Sequence, residues 1–425
     1  MAITIYGAGV SGLFLGYFLK QRGMAFQIYE KSPQAGGKLG TLKTPYGPVE
    51  KAANGLLYSD LLQEVCNELN VTLIPSNQGL KRLVLREGQR CFQKAPALSF
   101  LEILRVLGKL GSATPIKSDP YISVKDFFTP LTGERFVDEV ISTALGGIYA
   151  SSAESLHLGS LLGMPQAEES YLRYFLRLKK TNRQKYFPLH KTPSLSGTVS
   201  FTNGMEELVE ALAQYLKDHI HYRHHPPIAN LQATMSFLCM PPRDVLLWLE
   251  HNSNALPAEV LWALKQYALS ITMLPISTTT IFTDTPLPHL DQAFGVLFAR
   301  KTKRHHLGIL HNSAIFNNRT TSSQHFSYTF IASTHWDNPL PFILEDIKKI
   351  DPLWKAESIK AHYSFDYPEG IPLYDAKRVQ AWEKWSPIFS PHIQLFTNYT
   401  HKIGLRDILH QAKIIVDKLP IDSLS

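Results

Sequence analysis

Two glycine clusters and one acidic side chain are the residues of this chain best suited to chemistry. The first cluster, Gly7-x-Gly9-x-x-Gly12, directly follows an apolar run whose Ile3, Ile5 and Tyr6 read as a buried parallel strand. Gly7 permits a tight turn, Gly9 lets a pyrophosphate approach the backbone, and Gly12 lets the next helix pack on the strand. That helix, expected from Leu13 to Arg22, would have its N-terminal amides, with Val10 and Ser11 at the turn, directed at the phosphates. A second strand, Phe26 to Tyr29, ends in Glu30 and Lys31, roughly 20 residues past the glycines. A carboxylate there accepts hydrogen bonds from both ribose hydroxyls and repels a 2′-phosphate. The second cluster, Ala35-Gly36-Gly37-Lys38, suits a loop running along a pyrophosphate, with Lys38 as a single point charge.

Positioning these residues requires a strand–helix–strand unit at the N-terminus, and the rest of the chain supplies further layers. A helix near Leu61 to Leu69 and strands at Val71 to Ile74 and Leu83 to Leu85 follow the glycine loops. From about residue 92 to 190 the pattern turns helical, including 98–111 and 136–149. Residues 200–220 read as a strand end, a turn and a long helix that bring the chain back to the nucleotide-binding unit. A buried strand closed by a proline turn follows at 237–242. Between 271 and 333, β-rich segments imply an antiparallel sheet, and 393–397 leads as a strand into a helix from Leu405 to Leu419.

Composition narrows the class. The 425 residues allow two or three domains, and 19% charged with 11% aromatic residues describe an ordered globular protein. A net charge of +7 permits an anionic ligand or membrane surface, yet no long run of like charges suggests a nucleic-acid tail. The 3 cysteines, Cys66, Cys91 and Cys239, are widely spaced and form neither a disulfide framework nor a zinc site, which favours a reducing, cytoplasmic setting. No signal peptide and no apolar stretch long enough to span a bilayer are apparent. Many of the 17 histidines cluster at His219 to His225 and at His305 and His306, but no carboxylate completes a metal site, so no metal is expected.

The segment YEKSPQAGGKLGT followed by YGPVEKAANGLL resembles the opening of flavin-dependent amine oxidases, phytoene desaturases and protoporphyrinogen oxidases. In that family the order is GxGxxG, a ribose-binding Glu, a GG-Arg/Lys loop along the flavin, and a second acidic segment, here Gly47, Glu50, Lys51, Ala52, Ala53 and Asn54. Later segments resemble the same family. FTNGMEELVEAL matches its return to the cofactor domain, and PPIAN contains Ile228, which the resemblance places against the adenine. FGVL, then Ser313, Phe316 and Arg319, then IPLY (371–374) look most like the protoporphyrinogen oxidase branch. The terminal segment with Asn398, Ile403, Gly404 and Leu405 resembles the cover of the flavin's ribityl chain. Thr397, Ile408, His410 and Gln411 depart from that cover's usual residues, and a β-meander between Ile220 and Phe237 looks trimmed.

The resemblance implies an α/β fold: a Rossmann-like FAD-binding domain of the two-dinucleotide-binding type, a mixed β-sheet substrate domain and a helical insertion. The cofactor domain is expected from 1–90, 196–250 and 381–425, and the substrate domain from 91–195 and 251–380. It implies FAD as cofactor and hydride transfer from a porphyrinogen carbon to flavin N5, with oxygen reoxidising the flavin, in haem synthesis. An amine or polyene substrate, or a degenerate member without turnover, is the alternative. No catalytic base is assigned. Arg173 and Arg177 are candidates to meet substrate propionates; a solvated helix face is the other reading. Residues 98–111 form a basic amphipathic helix that either faces the core or lies on the inner face of a membrane. A homodimer is left open, and no nucleic-acid partner is expected.

Overall fold

The computed structural model describes residues 2–85, 93–94, 98–117, 119–188, 197–224, 234–389 and 393–420. Five parallel strands form the central sheet, in the order Ile220–Tyr222, Phe26–Glu30, Ala2–Tyr6, Thr234–Leu238 and Ile393–Leu395. Ile3, Ile5, Phe26, Ile28 and Phe237 point into the core on one face. The helix Val10–Gln21 lies against them, between the helices Glu206–Tyr215 and Leu405–Asp417. Ser11 through Leu19 are all buried, as befits a helix covered on every side. Two glycines permit this fit: a Cβ on Gly12 would lie 2.0 Å from the Gly7 carbonyl oxygen, and one on Gly16 would lie 2.7 Å from Ile28 Cδ1.

The helix begins at Val10, earlier than the sequence suggests, because Gly9 itself is the N-cap. On the sheet's other face, Tyr6, Leu238 and Leu395 pack on Trp248, Leu264 and Tyr267 from the helices Pro242–His251 and Ala258–Ser270. Neither helix, nor Ala376–Phe389 beside them, is among the sequence expectations.

A second, seven-stranded sheet follows the order Ile359–Pro372, Met273–Thr283, Phe326–Ala332, Gly308–His311, Ala293–Phe298, Lys81–Leu85 and Gln93–Lys94. It is mixed: Ala293–Phe298 runs parallel to Lys81–Leu85, and the other neighbours are antiparallel. The expected β-rich stretch is therefore extended by a 14-residue strand that the sequence reading passes over. Helices between 100 and 186 enclose a separate core built on Phe127, Leu131, Leu156, Tyr174 and Tyr374. Among the described residues no helix is long and apolar enough to cross a membrane.

Candidate functional site

The parallel register brings the two glycine clusters together beyond the C-terminal ends of Ala2–Tyr6 and Phe26–Glu30. Gly7 turns the chain with φ +105°, and its N–H donates to the Tyr29 carbonyl at 2.8 Å. Gly36 donates its N–H to the Ala8 carbonyl at 2.8 Å and pairs with Gly9 as an isolated bridge. Both Gly36 (φ +112°) and Gly37 (φ +61°) adopt backbone conformations that favour glycine.

Gly9 differs from all of these. Its φ of −67° suits any residue, and a Cβ there would meet no atom within 4 Å. Neither backbone strain nor a protein neighbour requires glycine at this position. What the missing side chain leaves is room at the mouth of the helix Val10–Gln21, whose N-terminus has no side-chain cap and no acid in its first turn. Exposed N-terminal amides facing an open cradle fit a phosphate.

A cavity of about 320 Å³ opens here, lined by Gly7, Gly9, Val10, Ser11, Gly36 and Gly37 on one wall. Glu30, Lys31 and Lys38 line it as well. The Glu30 carboxylate accepts the Ala8 N–H at 2.7 Å and the Ser32 N–H at 2.8 Å, which fixes its orientation while lone pairs remain for a ligand. Lys31 extends across the rim to Asp244, Nζ to Oδ2 2.6 Å. Asp244 thus adds a second carboxylate at this end, and sequence reasoning missed it; the proline turn before it was the available signal. Lys38 donates to the carbonyls of Glu369 and, at 3.1 Å, Gly370, tying the second glycine loop to the strand Ile359–Pro372. Burial lowers the affinity of its amine for a proton.

Asn398, Tyr399, Ile403, Leu405 and Ile408 form the opposite wall, with Met240 and Met273. Buried side chains hold it in shape: Tyr374 donates to the Asn398 carbonyl, Arg378 to the Tyr399 carbonyl, and the Tyr399 hydroxyl to the Met240 carbonyl at 3.0 Å. The departures from the family's usual terminal segment are accommodated without a charge in the cavity. Thr397 closes a turn with Thr400, Ile408 is apolar, and His410 meets Ser59 Oγ at 3.0 Å. The neighbours of His410 explain its chemistry: burial, with Lys185 and Arg406 nearby, depresses its pKa to about 4.

Some expected residues are not among those lining the cavity. Gly12 serves helix packing, and Gly404 is the N-cap of Leu405–Asp417. Asn54 lies near the buried Arg319, whose Nη2 is 3.5 Å from its carbonyl. Arg177 is bound to Glu169 by two hydrogen bonds of 2.8 and 2.7 Å and also donates to the Met164 carbonyl. Arg173 is exposed on the same helix, Tyr171–Tyr186. Ile228 falls outside the described residues.

Among the lining side chains, the Cys239 thiol and the Tyr399 phenol are pushed up by burial and stay protonated at neutral pH. Neither is placed to act as a base. The described residues hold no group of three His, Cys, Asp or Glu side chains arranged for a metal ion. Glycine turns, uncapped helix N-terminal amides and a carboxylate held by two backbone N–H groups suit the cavity to the pyrophosphate and ribose of a nucleotide cofactor.

Comparisons with known proteins agree with this geometry. Residues 10–228, just over half the chain, match a family model described as flavin containing amine oxidoreductase. Protoporphyrinogen oxidase 2 of Arabidopsis thaliana is 24% identical, with 88% of this chain aligned to 84% of that one. Coproporphyrinogen III oxidase of Staphylococcus aureus is also 24% identical, over 51% of this chain and 52% of that one. A structure from Exiguobacterium sp., proposed to be a protoporphyrinogen oxidase, superposes with a TM-score of 0.74 at 18% identity, covering 98% of both chains. Reduced UDP-galactopyranose mutase gives 0.71 at 15% identity over 98% of this chain and 94% of its own. At such identities the structural likeness establishes the fold, and the α/β architecture with mixed sheets is common to them.

Proposed function

The chain belongs to the flavin-containing amine oxidoreductase family, and on that premise we propose that it oxidises a porphyrinogen in haem synthesis with oxygen as final acceptor. FAD is its cofactor and oxidoreduction its class of reaction. Held in the cradle, FAD would supply a two-electron acceptor for hydride from a substrate carbon.

The observation that carries the cofactor assignment is the empty Cβ position of Gly9 beside the amides of Val10 and Ser11. We assign the pyrophosphate to Gly7, Gly9, Val10, Ser11, Gly36 and Gly37, and the adenosine ribose to Glu30, with Lys31 and Asp244 closing the rim. Lys38 steadies the second glycine loop, and Asn398, Ile403 and Leu405 cover the ribityl side. All five strands of the central parallel sheet come from 1–90, 196–250 and 381–425, which supports these segments as the cofactor domain, although Lys81–Leu85, within the first, joins the seven-stranded sheet instead. The porphyrinogen reading rests on the Arabidopsis and Staphylococcus relatives, both named for porphyrinogen oxidation.

The decisive test is the visible spectrum of the purified protein, recorded anaerobically before and after protoporphyrinogen IX is added. Bleaching of a flavin band, and its return on admitting air, is the expected result. A band that survives porphyrinogen but bleaches with an amine would move the assignment to amine oxidation. A flavin band inert to both would favour a member without turnover.

A further inference from the structure

The turn that walls the cofactor cavity has a second side. Thr397, Asn398, Tyr399 and Ile403 line the cofactor cavity, while His401, between them, lines a separate cavity of about 340 Å³. This second cavity lies along Ile393–Leu395, the strand at one end of the central sheet. The helices Ala376–Phe389 and Leu405–Asp417 flank it with Trp382, Phe389 and Ile415. T-shaped contacts with Tyr267 (centroids 5.2 Å apart) and Phe389 (5.9 Å) fix the Trp382 ring. Apolar walls of this kind, with a few polar groups among them, suit a small organic ligand.

The polar groups here are Ser386, Gln394 and His401, all half-buried. None of their side chains makes a hydrogen bond among the described residues. Polar side chains withdrawn from water are ordinarily paired, yet a hydroxyl, a carboxamide and an imidazole share this one cavity without partners. Burial, with Arg378 and Lys185 nearby, depresses the His401 pKa to about 4. The imidazole is therefore neutral and offers one donor and one acceptor.

Charge is kept out of the cavity. Among the described residues no ionic side chain lines it, and those close by are engaged elsewhere. Glu383 accepts from the Tyr121 hydroxyl at 2.8 Å, Lys384 lies over the Trp385 ring, and Lys413 pairs with Asp417 at 2.9 Å. Arg378 donates to the Tyr399 carbonyl and to Ser160 Oγ, and Lys185 lies 3.7 Å from Asp407. An ionic ligand would leave water for an apolar site without a counter-charge.

We propose that this cavity binds an uncharged, planar aromatic lactam, a ring whose N–H and C=O lie side by side on one edge. The Gln394 carboxamide offers the matching acceptor and donor, and Ser386 and His401 complete the polar rim. Trp382 and Phe389 supply aromatic surface to the ring.

The probe is 2-quinolinone, titrated calorimetrically into the FAD-loaded full chain so that the cofactor cavity is already filled. One saturable site is expected. Ser386→Phe, which fills the cavity, should abolish it. Gln394→Met should weaken it about tenfold, the usual consequence of losing a hydrogen bond or two. N-Methyl-2-quinolinone lacks the donor and should bind the wild type about tenfold more weakly. In Gln394→Met the two probes should bind alike, because the carboxamide that tells them apart is gone. Both variants should keep the wild-type flavin spectrum. A wild type without a saturable site, equal binding of both probes to it, or undiminished binding in Ser386→Phe would overturn the proposal. So would tighter binding of quinoline-2-carboxylate, which would make the cavity an anion site.

Discussion

Glu50 and Arg319 meet at 3.0 Å with each side chain only 1% exposed, so two segments far apart in sequence share one buried ion pair. Glu50 ends the hairpin Thr41–Thr44/Gly47–Glu50 next to the cofactor cavity, and Arg319 follows the strand Gly308–His311 of the seven-stranded sheet. The carboxylate also accepts from Thr41 Oγ1 at 2.6 Å and from the Met205 N–H at 3.0 Å. On the arginine, Nη2 carries the polar contacts, to Glu50, Ser200 and Asn54. Nε and Nη1 meet no acceptor among the described residues, and the guanidinium lies over the Phe316 ring. Burial raises the Glu50 carboxyl against the pull of Arg319 and lowers the arginine.

Arg319→Met leaves Glu50 buried beside a thioether. Unpairing one member of such a couple costs about 3–5 kcal/mol. A denaturant midpoint lowered accordingly, and partly restored in Arg319→Met/Glu50→Gln, is the expected result. Equal losses in the single and double variants would mean that the pair itself contributes nothing.

Gly9→Val adds a side chain to the open cradle at a position whose Cβ meets no protein atom within 4 Å. The flavin-free fold should change by only about 1 kcal/mol, the cost of a poor N-cap. Bound flavin, read as the visible-to-ultraviolet absorbance ratio, should fall to background while the far-ultraviolet dichroism is retained. Full flavin content in this variant would place the pyrophosphate elsewhere.

Glu30→Gln keeps the size of the side chain but replaces one acceptor oxygen with a donor, so it cannot serve Ala8, Ser32 and two ribose hydroxyls together. FAD affinity is expected to weaken by about 1.5–3 kcal/mol, the range for hydrogen bonds to a charged group. Fluorescence titration of the apoprotein reads this directly. ADP should lose affinity in parallel, because the contact is on the adenosine side; an unchanged ADP titration would argue against that location.

His410 links stability to pH. Its pKa in the fold is about 4, below the value near 6.5 of an exposed histidine, so the unfolded chain takes the proton first. Its contribution is therefore complete above about pH 6.5 and declines as pH falls towards 4. The decline attributable to this side chain is on the order of 1–3 kcal/mol. His410→Gln should flatten the dependence of unfolding free energy on pH across that window. His401, also held near 4 by burial, should leave a residual slope. A slope unaltered by the substitution would assign the whole effect to other groups.

Local features carried much of the cofactor site into the sequence. Gly7, Gly9, Gly12 and Glu30 lie within one strand–helix–strand unit, where spacing alone fixes their relation. Gly36 and Gly37 follow a few residues later and need only the Ala8–Gly36 hydrogen bond to join them. Asp244, Met240 and Met273 were not legible. Met240 and Asp244 reach the cavity because Thr234–Leu238 pairs beside Ala2–Tyr6 and the chain then turns at Pro241 and Pro242, while Met273 comes from the first residue of a strand in the other sheet. The strand Ile359–Pro372 was missed for a different reason. Ile359, Ala361, Tyr363, Phe365 and Tyr367 alternate with exposed Lys360, His362, Ser364 and Asp366, the period of a half-buried strand, but Pro368 and Gly370 close behind them read as loop.

By itself the sequence determined the dinucleotide fingerprint, the carboxylate that ends the second strand, the flavin family and the amphipathic character of residues 98–111, because each depends on side chains close together along the chain. The tertiary structure decided which distant groups meet. It paired Glu50 with Arg319, turned Arg177 to Glu169, and set Lys38 against the carbonyls of Glu369 and Gly370. It also decided that the helix at Phe100 turns Glu102, Val106 and Leu110 inward and its leucines outward. Periodicity gives a helix two faces, but which one meets protein depends on the surfaces that surround it in space.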